Sequence, residues 1–245
     1  MRRQRRKASC GSGHVADHPR VLALIHVAHE PLGRLEQWLD AAGVAVTTAL
    51  LSSTQCPASL DGYAGLIVMG GPQSACGPDH EPFPHERDLI REAVALARPY
   101  LGICLGAQLL AACLGGKVEP ASSGEYGLGS VSLLDRAAND PLLAGLDPVS
   151  YFPQWHGDQV TVLPSGSHLL ATGEVCTTQA FRIGNAWGLQ FHPEATGEIV
   201  SGWSRADGIG DPVEHARAVD SWRADGRVDA HWERAMTRFA ALLAS

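Results

Sequence analysis

Apolar residues gather along this chain in short dense runs, separated by polar and glycine-rich stretches. Val21 to Val27 is such a run and predicts a buried strand, and Leu32 to Ala42, with Leu32, Leu35, Trp38 and Leu39 at helical spacing, predicts a helix ended by Gly43. Val44 to Leu51 returns as a strand. After a polar connection over Ser52 to Gly62, Tyr63 to Met69 forms a third apolar run that stops at Gly70-Gly71-Pro72. Strand, helix, strand, loop, strand is the rhythm of an α/β sheet.

Gln73 to His85 carries Pro78, Pro82 and Pro84 and is expected to be irregular, whereas Glu86 to Arg98 has the apolar spacing of an amphipathic helix closed by Pro99. Tyr100 to Ile103 is a short strand. Leu105 to Leu114 follows as a helix ended by Gly115-Gly116, so strand meets helix with only Cys104 between them. From Lys117 to Ala180 the pattern weakens. Gly129 to Leu134, Gln159 to Val162, Leu169 to Ala171 and Gln179 to Ile183 read as short strands and hairpins added to the sheet, and Ala186 to Phe191 as a late strand. Beyond Ala195 the chain turns polar and helical, with Trp203, Trp222 and Trp232 packing and Val228 to Ala244 as a final helix. No internal repeat or linker divides it, so one domain is expected over residues 20–245, after a tail over residues 1–19.

Composition narrows the class. A chain of 245 residues that is 45% hydrophobic can build a real core, which excludes disorder as the main theme. Val21 to Val27, broken by His26, falls far short of the roughly 18 to 20 apolar residues that a membrane helix needs, so no membrane association is expected. The net charge is −7, yet Arg2, Arg3, Arg5, Arg6, Lys7 and Arg20 sit near the start with Asp17 alone opposing them. The body is therefore acidic, which argues against a nucleic-acid-binding surface. Flanked by small residues, the basic tip reads as a solvated, disordered end, and with no apolar stretch behind it, it is not a secretory signal. The six cysteines show no C-x-x-C and no regular spacing, which points to a reducing cytoplasm and to a thiol used as a nucleophile.

The sharpest local feature is Gly102-Ile103-Cys104-Leu105-Gly106. A side chain at a tight strand-to-helix turn is forced out at the sheet's edge, flanking glycines relieve the crowding, and the helix N-terminus favours thiolate. Cys113, within the following helix, reads as a buried small hydrophobe. A cysteine nucleophile needs a base and the base an orienting group. His192 and Glu194, two residues apart on an extended backbone, would lie on one side of it; on spacing alone His156, His80, His85, His26 and His29 compete for the same role. For a developing oxyanion, the N–H of Leu105 and the Gly70-Gly71-Pro72 turn are the natural donors. Other motifs fail. Gly11 to Ala16 fits G-x-G-x-x-A but precedes the first strand, His80-Glu81…His85 is one residue too long for the helical zinc motif and broken by prolines, and no phosphate loop occurs. No metal and no cofactor are expected.

Met69-Gly-Gly-Pro-Gln-Ser74, Leu101-Gly-Ile-Cys-Leu-Gly-Ala-Gln108, Trp155-His-Gly-Asp158 and Gly188-Leu-Gln-Phe-His-Pro-Glu194, in this order, make the chain resemble the class I (triad) glutamine amidotransferases. Trp155 to Asp158 and Glu125-Tyr-Gly127 are most similar to the glutaminase portion of GMP synthase. The resemblance implies a single-domain α/β fold, an open and mostly parallel central sheet flanked by helices, with a nucleophile elbow. It implies Cys104, His192 and Glu194 as triad, Gly71 and Leu105 as oxyanion donors, Gln108 as a substrate-side contact, and His156, Gly157 and Asp158 holding the α-amino and α-carboxylate ends of glutamine. GMP synthase continues into an ATP-pyrophosphatase region whose Ser-Gly-Gly loop is not found here, so a standalone amidotransferase is expected. Three functions follow: a glutaminase passing ammonia to a separate synthetase subunit, a self-sufficient γ-glutamyl peptide or amide hydrolase, or a binding module that keeps only the fold.

Overall fold

A computed structural model describes residues 18–52, 56–76 and 85–244, so the basic tip, the Gly11-to-Ala16 motif and all of the His80 motif but His85 lie outside the described residues. Nine strands form one sheet in the order β2-β1-β3-β4-β9-β8-β7-β5-β6. The strands β1 (Arg20–Ile25), β2 (Ala45–Leu50), β3 (Gly65–Val68), β4 (Tyr100–Ile103) and β9 (Ala186–Leu189) run parallel to one another. The remaining strands, β5 (Lys117–Leu133), β6 (Val149–Val162), β7 (His168–Thr172) and β8 (Ala180–Ile183), pair antiparallel. The fold is thus the α/β arrangement expected.

Helices cover both faces of the parallel half, which explains why its strands read as unbroken apolar runs. Alternation assigns the side chains. Val21, Ala23, Ile67, Leu101 and Ile103 face a core closed by α1 (Arg34–Ala41) and the C-terminal helix α6 (Arg227–Leu243). Leu22, Leu24, Leu66, Val68 and Tyr100 face the other, closed by α2 (Glu86–Ala95) and α3 (Leu105–Cys113). Two more helices, α4 (Gly197–Asp207) and α5 (Pro212–Arg223), pack on each other and bury Trp203 and Val219. Trp232 is buried in the first core and stacks on Trp38, with ring centroids 6.1 Å apart.

The weak region of the sequence holds the largest departure from expectation. In place of short strands at Gly129 to Leu134 and Gln159 to Val162 stands one long hairpin of 17 and 14 residues. Its polar, half-exposed pattern and its irregular register between Pro120 and Glu125 erase the period-two signal. The late strand is also shorter than predicted. It ends at Leu189, so His192 and Glu194 lie in the turn beyond it, not on extended strand backbone.

Candidate active site

The residue between β4 and α3 takes a backbone conformation that side chains rarely adopt: Cys104 has φ 50° and ψ −106°. Such a strained position persists only where its surroundings enforce it. They do so through contact distances. A Cβ on Gly102 would stand 2.5 Å from the Gly106 backbone carbon, and one on Gly106 would collide with the Val68 carbonyl. Both glycines let strand and helix approach closely enough to make the bend. Cys104 caps α3 without a side-chain cap bond, and Leu105 is the first helical residue, whose N–H has no partner in the helix ladder.

His192 sits beside this bend. A Cβ placed on Gly70 would lie 3.2 Å from His192 Cε1 and 3.7 Å from Cys104 Cβ, so turn, imidazole and cysteine converge on one point. Nδ1 of His192 is 2.9 Å from Glu194 Oε1, and both side chains are almost completely buried. Burial alone would lower the histidine's pKa, but the Glu194 carboxylate and the Cys104 sulfur oppose it and raise it well above 6.5. Trp203 covers the ring at 4.6 Å. The turn is held from several directions: His192 N–H donates to Pro153 O at 2.8 Å, Arg34 N–H to Glu194 O at 3.0 Å, and Arg223 to the carbonyls of Pro193 and Ala195.

The oxyanion turn has its own support. His26 Nδ1 is 2.8 Å from Gly70 O and His26 Nε2 is 2.6 Å from Glu86 Oε1. Both partners are acceptors, so both nitrogens carry protons; burial lowers the pKa of His26, but its bond and charge pairing with Glu86 raise it overall. In a trans peptide the carbonyl and the following N–H point in opposite directions. With Gly70 O held by His26, the Gly71 N–H faces the other way.

The remaining candidates line the same cleft, of about 280 Å³, with Gly71, Cys104, Leu105, Gln108, His156, Gly157, Asp158 and His192 all on its wall. Gln108 Nε2 donates to Asp158 O at 3.0 Å and to Gln190 Oε1 at 3.2 Å, and Gln190 Nε2 donates to Cys104 Sγ at 3.6 Å. His156 is tied to Asp158 O through Nδ1 at 3.0 Å and lies 3.2 Å from Glu125 through Nε2. The Asp158 carboxylate, carried on β6, meets the Ser74 hydroxyl of the oxyanion loop at 2.5 Å. Among the rival histidines, His26 and His156 are committed to these bonds, His85 is exposed at the start of α2, and His29 lines the cleft.

Sequence reasoning missed Gln190, Glu30, the His26–Glu86 pair and Arg223. Two carried a readable signal. His26 interrupts an apolar strand, and Gln190 is a buried amide in a run that is otherwise apolar. Glu125, His156 and Cys176 bring ligand-type atoms within 4.8 Å of one another, but Gln179 donates to Glu125, Cys176 donates to Thr178 O, and burial pushes the Cys176 thiol up to about 12, against thiolate ligation. The described cysteines, Cys56, Cys76, Cys104, Cys113 and Cys176, are free thiols. Among the described residues no helix is long and apolar enough to cross a membrane.

Residues 34–199 match the glutamine amidotransferase class-I family, and the chain belongs to it. It is 41% identical over 140 residues to a GMP synthase [glutamine-hydrolyzing] of Porphyromonas gingivalis, a match covering 56% of this chain and 26% of that protein. The chain therefore spans about a quarter of the length of that relative. It is 31% identical over 190 residues to the glutamine amidotransferase-like protein YfeJ of Salmonella typhimurium, covering 75% of this chain and 79% of that one. The crystal structure of a glutamine amidotransferase from Thermotoga maritima superposes with a TM-score of 0.80 at 28% identity, over 91% of this chain and 98% of the other.

Proposed function

We propose that the protein hydrolyses the side-chain amide of glutamine through a thioester on Cys104, with His192 as base and acid and Glu194 orienting the imidazole. One observation carries this reading: a cysteine in a strained conformation at a strand-to-helix bend, beside a buried histidine whose far nitrogen is bonded to a buried carboxylate. The Cys104 sulfur gives its proton to His192 and attacks the glutamine Cδ. The N–H groups of Gly71 and Leu105 receive the oxyanion. His192 then protonates the departing nitrogen, ammonia leaves, and water gives a proton to the same imidazole as its oxygen attacks the thioester, releasing glutamate and restoring the thiol. His192, with its raised pKa, readily holds the proton in each half-reaction.

Asp158 supplies a carboxylate for the α-ammonium of glutamine, a charge-assisted bond that selects the free amino acid over a glutamine inside a peptide. Gln108 and His156 act by holding the Asp158 backbone carbonyl. The GMP synthase relative is about four times longer than the matched stretch, which supports delivery of ammonia to a synthetase on a separate chain. The cleft rim favours a second reading: Tyr126, Trp155, Trp203 and Asp207 extend the wall beyond the reach of glutamine, as a γ-glutamyl amide with a larger amine would use. Trapping with an electrophilic glutamine analogue tests the first reading. Mass spectrometry should find the adduct on Cys104, and a label on another residue overturns the assignment. Ranking glutamine against γ-glutamyl amides, with and without a cell extract, separates the two substrates.

A further inference from the structure

Glu30 takes no part in the chemistry above, yet it stands inside it. Its carboxylate lines the cleft, and Oε2 lies so close to Gly70 that a Cβ there would overlap it. That same position is 3.2 Å from His192 Cε1, so Glu30 is beside the imidazole. The groups acting on the Glu30 carboxylate are charges alone, His192, His29, His26 and Glu194, and no described residue hydrogen-bonds to it. A mostly enclosed carboxylate without a donor is costly unless something supplies one.

The proposed reaction says what that donor is. The oxyanion is directed to Gly71 and Leu105, and a second negative group beside it would be repelled. What turns toward His192 is the nitrogen of the scissile amide, which carries N–H groups and gains positive charge as it is protonated. We propose that Glu30 is a specificity-determining residue that accepts a hydrogen bond from the scissile amide N–H, making the site selective for γ-amides of glutamate over γ-esters. The inference rests on the thioester reading above. The amide's oxygen and nitrogen are nearly equal in size, so shape alone does not orient the group; a carboxylate on one side and two N–H donors on the other do. The same carboxylate repels the γ-carboxylate of the product glutamate, which favours its release.

L-glutamate γ-methyl ester offers the same acyl chain without the N–H. Full-length wild-type, Glu30→Ala and Glu30→Gln proteins would be assayed for kcat/KM on glutamine and on this ester. Glu30→Ala is expected to lose roughly 10- to 100-fold on glutamine while staying within about threefold on the ester. Glu30→Gln, which keeps a carbonyl acceptor in the same volume, should recover part of the amide activity. Equal losses on both substrates in both variants, or an unchanged rate on glutamine, overturn the proposal. Cys104→Ala separates this failure from that of the underlying reading: if it still cleaves both substrates, the thioester chemistry itself is wrong, whatever Glu30 does.

Discussion

The two halves of the sheet are built differently and contribute different things to the cleft. In the parallel half the strands are short and sealed on both faces; β3, β4 and β9 have four residues each and all are buried. Their ends carry the reacting groups: the Gly70-Gly71 turn after β3, Cys104 after β4 and the His192–Glu194 turn after β9. In the antiparallel half, β5 and β6 are long, mostly half-exposed and irregular, and they reach over the cleft with Tyr126, Trp155, His156 and Asp158. A closely packed, two-sided core holds backbone atoms within tenths of an ångström, which strained chemistry needs. A one-sided ribbon tolerates substitution and can vary its wall to suit a substrate.

If this division is right, damage to the parallel half should abolish turnover and damage to the ribbon should weaken binding. The largest effect is expected for Cys104→Ala, with glutamine hydrolysis falling by about 10⁴-fold or more while thermal melting stays near wild type. Gly106→Ala should cost about 3 kcal/mol in denaturant unfolding, because the added methyl meets the Val68 backbone, which cannot swing aside. Asp158→Asn, on the ribbon, should raise KM for glutamine by roughly 10- to 100-fold with little change in kcat. A kcat loss as large as that of Cys104→Ala would erase the distinction between the halves. Glu86→Gln should lower kcat by roughly 10-fold and leave KM nearly constant, since it loosens the His26 grip on the oxyanion turn and touches no substrate.

The smallest effect is one of pH. His231, buried on α6 against Leu142 O, has its pKa lowered to about 4 by burial, against 6.5 for the free side chain. Between these values the unfolded chain takes up a proton that the folded chain excludes, so stability is lost as pH falls through this window. The loss is about 1 kcal/mol over the first unit below pH 6.5. His231→Leu should flatten that acid limb relative to wild type in urea titrations. His26 works in the opposite sense: its raised pKa contributes stability below pH 6.5 that fades as pH climbs through the raised value.

Much of this was legible in the residues, and the boundary follows range. Steric and periodic rules act over a few neighbours, so the apolar runs marked the parallel strands, and Gly102-x-Cys104-x-Gly106 marked the elbow before any fold was known. The order of four motifs resembled a family whose membership the match over residues 34–199 then showed. Tertiary structure alone decided which histidine meets the sulfur, because six histidines were eligible by type and only contact selects one. It also decided the long hairpin, whose half-wet faces leave no clear alternation to read, and the convergence of Glu30, His26 and Glu86 on one glycine turn. Those residues lie far apart in the chain or answer to nothing beside them in sequence; their roles come from distances that only packing sets.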